Sequence, residues 1–237
     1  MTPVIHRVAT LDLKVGPWSW PFAVARRAEI DAHFAAKQRE RPALWNGRVL
    51  LGRNPRFTDS HFGAEYFETD FASFLAWRDW GFPDPDVFNG FGMGALLASD
   101  GAFALGEMGQ HTANAGRIYF PAGTPDLDDV RTDDAGRRVL DIEGSVAREV
   151  EEETGLTPAD YRAGPHWDCV FTGPSVAIMR ILHVDLPGEA LRARIEATLA
   201  QQPEPELAAI HLVRGRGDIS AVMPNFVTAF IEAHFRT

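Results

Sequence analysis

The chain has 237 residues, a formal net charge of −10, and a composition that is 45% hydrophobic and 24% charged. That is an ordinary globular mixture, able to fill a core, and its acidity excludes a nucleic-acid grip through a broadly basic surface. No run approaches the roughly 20 apolar residues that span a bilayer, and the start, MTPVIHRVATLDLKVGPW, lacks a signal-peptide core. With one cysteine, Cys169, no internal disulfide is possible. These features predict a soluble, cytoplasmic protein.

In chain order, residues 22–41 (FAVARRAEIDAHFAAKQRER) read as a helix stopped by Pro42. RVLL (48–51) reads as a short strand, and 70–80 (DFASFLAWRDW) as a second helix with Asp70 as N-cap. GFPDPDVFNGFG (81–92), with two prolines and three glycines, marks a boundary between an N-terminal extension (1–88) and a main domain (89–237). MGALLA and AFALGEM flank Ser99-Asp100-Gly101 as a hairpin, and GRIYFPAG (116–123) is a strand running into a glycine turn. A helix over 142–154 has Asp141 to cap it and Gly155 to stop it. Strands at 166–171 and 175–184, a helix at 188–201, a strand IHLV (210–213) and a helix at 224–235 follow. Strands interleaved with a few helices predict an α/β (α+β) fold, a mixed sheet packed between helices.

The stretch that carries chemistry is REVEEETGL, residues 148–156. On a helix, offsets of three and four return to one face, so Glu149, Glu152 and Glu153 share a stripe while Glu151 points away. Val146 and Val150 supply an apolar edge, and Arg148, one turn before Glu152, is placed to brace it. A charge run alone usually means a solvated helix face. Three carboxylates from one turn also make an oxygen-rich site for a hard divalent cation, Mg²⁺ or Mn²⁺.

The order Arg-Glu-apolar-x-Glu-Glu-x-Gly-apolar fits the second half of the Nudix box at every position, and the chain resembles the Nudix hydrolase superfamily. The first half departs from that pattern. Eight residues before Arg148, where the family has a glutamate, stands Leu140. FPAGTPDLDD (120–129) resembles the family's glycine turn and acidic loop, so Gly123 would be the box glycine and Asp129 the displaced carboxylate. Eleven residues, VRTDDAGRRVL (130–140), are then inserted between loop and helix, with Asp134-Ala135-Gly136 forming a small excursion. In the alternative alignment the first half is lost and Asp141 or Glu143 substitutes.

The resemblance implies a Nudix-like α/β/α sandwich. It also implies hydrolysis of a nucleoside diphosphate linked to another group, with Glu149, Glu152, Glu153 and Asp129 holding the metal. A glutamate in a later loop serves as general base in many relatives. EPELAAIHLV (204–213) is similar to that arrangement, which gives Glu206 the role with Glu204 as fallback. Glu152 and Arg148 complete the catalytic set, and Arg117 is a candidate phosphate contact. HTANAGRIYFPAGTPDLDDV and WNGR (45–48) are loosely similar to the nucleotide-sugar diphosphatase branch, in which the N-terminal 85 residues would cover the substrate cleft. The partner expected is a small-molecule nucleoside diphosphate derivative, with no nucleic acid, no membrane and room for a homodimer. A non-catalytic nucleotide sensor is the second reading, motivated by Leu140 and the insertion.

Other candidates are weaker. The eight histidines include no pair at the spacing of a zinc helix. Ser145 lies outside a nucleophile-elbow frame, and Cys169 reads as a buried small hydrophobe. The tryptophans read as core, with one available to stack on a base.

Overall fold

The computed structural model describes residues 2–42 and 44–236. Strands β1 (Val4–Val8) and β2 (Thr10–Val15) open it, followed by helices α1 (Pro21–Ala25) and α2 (Arg27–Glu40). The single helix expected over 22–41 is broken at Arg26, which leaves helical backbone (φ −112°, ψ 21°) and lies 4.2 Å over the Trp80 ring. The short strand expected at 48–51 is the start of β3 (Arg48–Phe57), paired antiparallel with β4 (His61–Asp70). A register shift between Arg53 and Arg56 takes up Asn54, at φ 51°, and Pro55, which cannot donate to a ladder. Helix α3 (Phe71–Asp79) starts on Asp70, whose side chain accepts the Ser73 N–H at 2.8 Å.

Next come β5 (Val87–Ala98), β6 (Phe103–Met108), β7 (Ile118–Tyr119) and β8 (Ala122–Gly123), then a 3₁₀ turn over Leu127–Asp129. The inserted segment forms a hairpin, β9 (Val130–Thr132) and β10 (Arg138–Leu140). Helix α4 (Ile142–Thr154) occupies the span its sequence predicts. Asp141 accepts the Gly144 N–H at 3.2 Å, and Gly155 ends the helix at φ 71°, a left-handed backbone that side chains resist. Strands β11 (Tyr161–Ala163), β12 (Trp167–Phe171) and β13 (Ser175–Val184), helix α5 (Gly188–Leu199), strand β14 (Leu207–Val213) and helix α6 (Asn225–His234) complete the chain.

The sheet is mixed, in the order β1-β12-β13-β5-β3-β4-β2-β10-β9, with β6, β7, β8, β11 and β14 branching from it. β5 is its axis. It runs parallel to β13 over ten residue pairs and antiparallel to β3, β6 and β8. Side chains alternate along a strand, so β5 serves two layers. Gly92 and Gly94 face α4, where a Cβ would stand 2.6 and 2.5 Å from methyls of Val146 and Val150. Phe91, on the opposite face, meets Phe226 of α6 at 5.5 Å. Helices thus cover both faces, as an α/β fold requires.

Two pairings cross the division expected at residue 88, β1 with β12 and β2 with β10, and β5 itself runs across it. The N-terminal part nonetheless has an aromatic cluster of its own, where α1 and α3 pack with Trp20, Phe67, Phe74 and Trp77 over β3 and β4. Among the described residues no helix is long and apolar enough to cross a membrane.

Candidate functional site

Glu153 lies in the last turn of α4, buried, with its Oε1 accepting the Ala122 N–H at 3.2 Å. The turn before it carries Glu149, against which Gly123 lies flush. A Cβ on that glycine would fall 2.2 Å from Glu149 Oε1, so only glycine lets the β8 backbone come this close. The glycine turn and the acidic helix expected to meet therefore do meet. Glu152 is exposed at the rim.

From the other side comes the segment before β14. It is tied down by Gln202, whose Nε2 donates to the Glu152 carbonyl at 2.9 Å, and by the Gly109 N–H, which donates to the Glu206 carbonyl at 2.7 Å. Between segment and helix is a cavity of about 340 Å³ lined by Glu149, Glu152, Glu153, Gln202, Glu204 and Glu206 with Pro203. Both acids considered for the general base thus face the α4 stripe, and no basic residue lines the cavity.

The electrostatics follow. Burial pushes the Glu153 carboxyl well above its ordinary pKa; the Ala122 N–H opposes this, while Glu149, Glu206 and Glu152 add to it. Burial also raises Glu149, opposed by Arg148 and reinforced by Glu152 and Asp129. Neighbouring carboxylates thus make Glu149 and Glu153 harder to ionise.

Arg148 does not brace Glu152 as its spacing suggests. Its guanidinium reaches Asp129 at 3.0 Å and Glu149 at 3.2 Å. Asp129 outcompetes a solvated partner because its side chain is only 2% exposed and a buried carboxylate needs a counter-charge. Both Asp129 oxygens are engaged, Oδ1 by Arg148 and Oδ2 by Arg148 and the Asp126 N–H. Asp129 therefore stands beside the acidic helix, as its metal-ligand role would require, and there it anchors Arg148. Asp141 caps α4 and pairs with Arg131, and Glu143 pairs with Arg180, so neither of the alternatives faces the cavity.

Oxygen donors from carboxylates suit Mg²⁺ or Mn²⁺, and the flush contact of Gly123 on Glu149 leaves room for them to converge. Among the described residues no three such side chains are drawn to the spacing of an ion site.

A second cavity, about 450 Å³, lies on the opposite face of the sheet beneath the start of α6. Arg117 lines it, exposed and without an ion pair among the described residues. Tyr119 lies within the field of the glutamate cavity. It lines the second, yet its hydroxyl, bonded to Asn114, is pushed up to about 12 by burial, with Glu153, Glu206 and Glu149 adding to the rise. Sequence reasoning missed Tyr119, Gln202 and the Phe91–Phe226 pair. It looked for a stacking ring among the tryptophans, but Trp20, Trp77 and Trp167 are buried and Trp45, 81% exposed, is not among the residues lining either cavity.

The chain matches no family model and no curated protein. Among solved structures it is similar to a Nudix hydrolase from M. Smegmatis, RenU, at 15% identity and a TM-score of 0.40, over 62% of this chain and 86% of that one. It is also similar to the MutT protein from Methanosarcina mazei Go1, at 18% identity and a TM-score of 0.39, over 63% of this chain and 94% of that one.

Proposed function

We propose that this protein hydrolyses the diphosphate linkage of a nucleoside diphosphate derivative, with Mg²⁺ or Mn²⁺, in a reducing, cytoplasmic setting. The observation that carries the reading is the cavity into which α4 and the 202–206 segment turn five glutamates with no basic residue among them. A folded chain gathers such charge at a cost in stability, which a bound cation offsets.

Glu149, Glu152 and Glu153 would hold the ion, held in turn by Arg148, Gly123 and the Ala122 N–H. Bound there, a divalent ion supplies positive charge to the anionic oxygens around phosphorus. Glu206, across the cavity, accepts the proton of the attacking water. Asp129 fixes Arg148 and through it Glu149. Arg117, unpaired at the adjoining cavity, steadies a phosphate on the substrate. Nucleotide sugars belong among the derivatives to be tried.

The test is a panel of nucleoside diphosphate derivatives with millimolar Mg²⁺ or Mn²⁺, reading release of a phosphomonoester. Wild-type protein should turn over at least one member. Glu152→Gln should lose on the order of a hundredfold or more in rate and shrink the rise in melting temperature that the metal produces. Wild-type protein that binds Mn²⁺ yet leaves the whole panel intact would instead be a nucleotide sensor, the reading Leu140 and the insertion favour.

A further inference from the structure

Alternation along β13 puts Ile178, Arg180 and Leu182 on one face of the sheet, beside Gly92 and Gly94 of β5, the face that α4 covers. Ile178 and Leu182 are buried, so a cation between them is out of pattern. Placing a charge there is costly unless partners surround it.

The Arg180 side chain is 18% exposed, and three contacts fix it. Its Nε donates to the Gly164 carbonyl at 2.8 Å, and its guanidinium lies 4.9 Å over the Trp167 ring. Both of those partners are buried. The third, Glu143 Oε1, stands 2.8 Å from Nη1 on a side chain that is 70% exposed in the first turn of α4. Two contacts therefore orient the guanidinium, and the third is a solvated pair of the kind that contributes little.

Beside Arg180 is a cavity of about 240 Å³, walled by Val146 and Ala147 of α4, Tyr161 and Ala163 of β11, and Leu182. An arginine that only pinned two segments together would be packed around, as interiors are. Here space is left against it. None of the residues lining this cavity lines the glutamate cavity.

These features define a guest. A planar guanidinium held in place matches a carboxylate. The walls are mostly apolar and suit a compact hydrocarbon body, and the volume falls below the roughly 300–1,000 Å³ of drug-sized sites. Glu143 already makes the charge contact from the rim.

We propose that this cavity binds a small carboxylate with a compact apolar body, of the size of benzoate, whose carboxylate displaces Glu143 from Arg180. The site is separate from the hydrolase reading, since it uses none of the glutamates facing the other cavity.

The experiment is an NMR titration of the nitrogen-15-labelled full chain with benzoate, benzamide, acetate and inorganic phosphate. Benzoate should saturably shift the amides of Ala147, Arg180 and Leu182. It should bind about tenfold or more tightly than the other three, the worth of one charge-assisted pair. Arg180→Gln should lose most of that affinity. Glu143→Gln should do the opposite and tighten benzoate roughly twofold to fivefold, because the competing carboxylate is gone. If Arg180→Gln does not fold, Ala147→Leu, which fills the cavity from a half-buried position, should abolish the same shifts. Benzoate no tighter than the other probes, shifts confined to other residues, no binding at all, or a Glu143→Gln variant that binds no tighter would each overturn the proposal. Benzoate carries no diphosphate. A protein that binds it here and cleaves nothing would sink the hydrolase reading alone, and cleavage without benzoate binding would sink this one alone.

Discussion

Asp70 and Glu153 are both carboxylates set at the ends of helices, and they stand on opposite sides of their ordinary pKa. Burial pushes Asp70 up, but the Ser73 N–H and hydroxyl and the Arg27 guanidinium outweigh it, and the net shift is downward. Burial pushes Glu153 up as well, and what surrounds it is mostly more carboxylate. Asp70 belongs to the aromatic layer of α1–α3, where Arg27 at 2.8 Å matches it. Glu153 belongs to α4, where Arg148, the cation beside the acidic stripe among the described residues, is already shared between Asp129 and Glu149. In one region charge is arranged for stability; in the other it is left mismatched.

The largest effect should come from breaking the stable region. Trp77 is wholly buried at the centre of its cluster, and Trp77→Ala should cost about 3–5 kcal/mol in urea unfolding. If the two regions are independent, the rise in melting temperature with Mn²⁺ should be the same in that variant as in wild type. A lost metal response would show that the aromatic layer supports the site.

The paired carboxylates give a sharper contrast of sign. Asp70→Ala removes a helix cap and the partner of Arg27, and should destabilise by about 1–2 kcal/mol. Glu153→Gln keeps an acceptor for the Ala122 N–H while removing a buried charge. It should stabilise the metal-free protein. Melting curves of both variants in chelator would check this, and a destabilised Glu153→Gln would contradict the contrast.

The smallest effect concerns His234, where α6 ends near Arg7, Asp168 and His183. Burial lowers its pKa below the ordinary 6.5, and Arg7 and His183 lower it further against Asp168. The folded state therefore resists protonating it. Its contribution is whole above pH 6.5 and lost as pH falls through the lowered value. Between about pH 7.5 and pH 5.5, wild type should lose more melting temperature than His234→Gln, and equal losses would contradict this sign.

What the sequence revealed was local. Asp141, the Val146/Val150 edge and Gly155 placed α4 to the residue, because capping, periodicity and a left-handed stop act within one helix. Asp134-Ala135-Gly136 foretold the β9–β10 excursion, whose turn is closed by Asp133 accepting the Ala135 and Arg137 N–H groups. What it hid was non-local. β4 is buried on both faces over most of its length, so it shows no alternation to read, and β3 is disguised by Asn54 and Pro55 at its bulge. Spacing along a helix gave Arg148 the wrong partner because Asp129 arrives from another segment. Asn89, Phe91 and Phe226 meet only through the β5–α6 contact, and no window of sequence contains them together.

The pairing of β1 with β12 also sets a schedule. Val4 lies opposite Phe171 and Val8 opposite Trp167, while β2, one residue further on, lies beside β4. On a ribosome adding roughly 5–20 residues per second, residues 4–8 are made some ten to thirty seconds before the strand they pair with. Contacts this distant in sequence close late, since the entropy of a long loop must be overcome before they form. During that interval β1 is an apolar-edged strand without a neighbour, beside a β2 that can already dock on β4. Among the described strand pairings, β1 therefore waits longest for its partner.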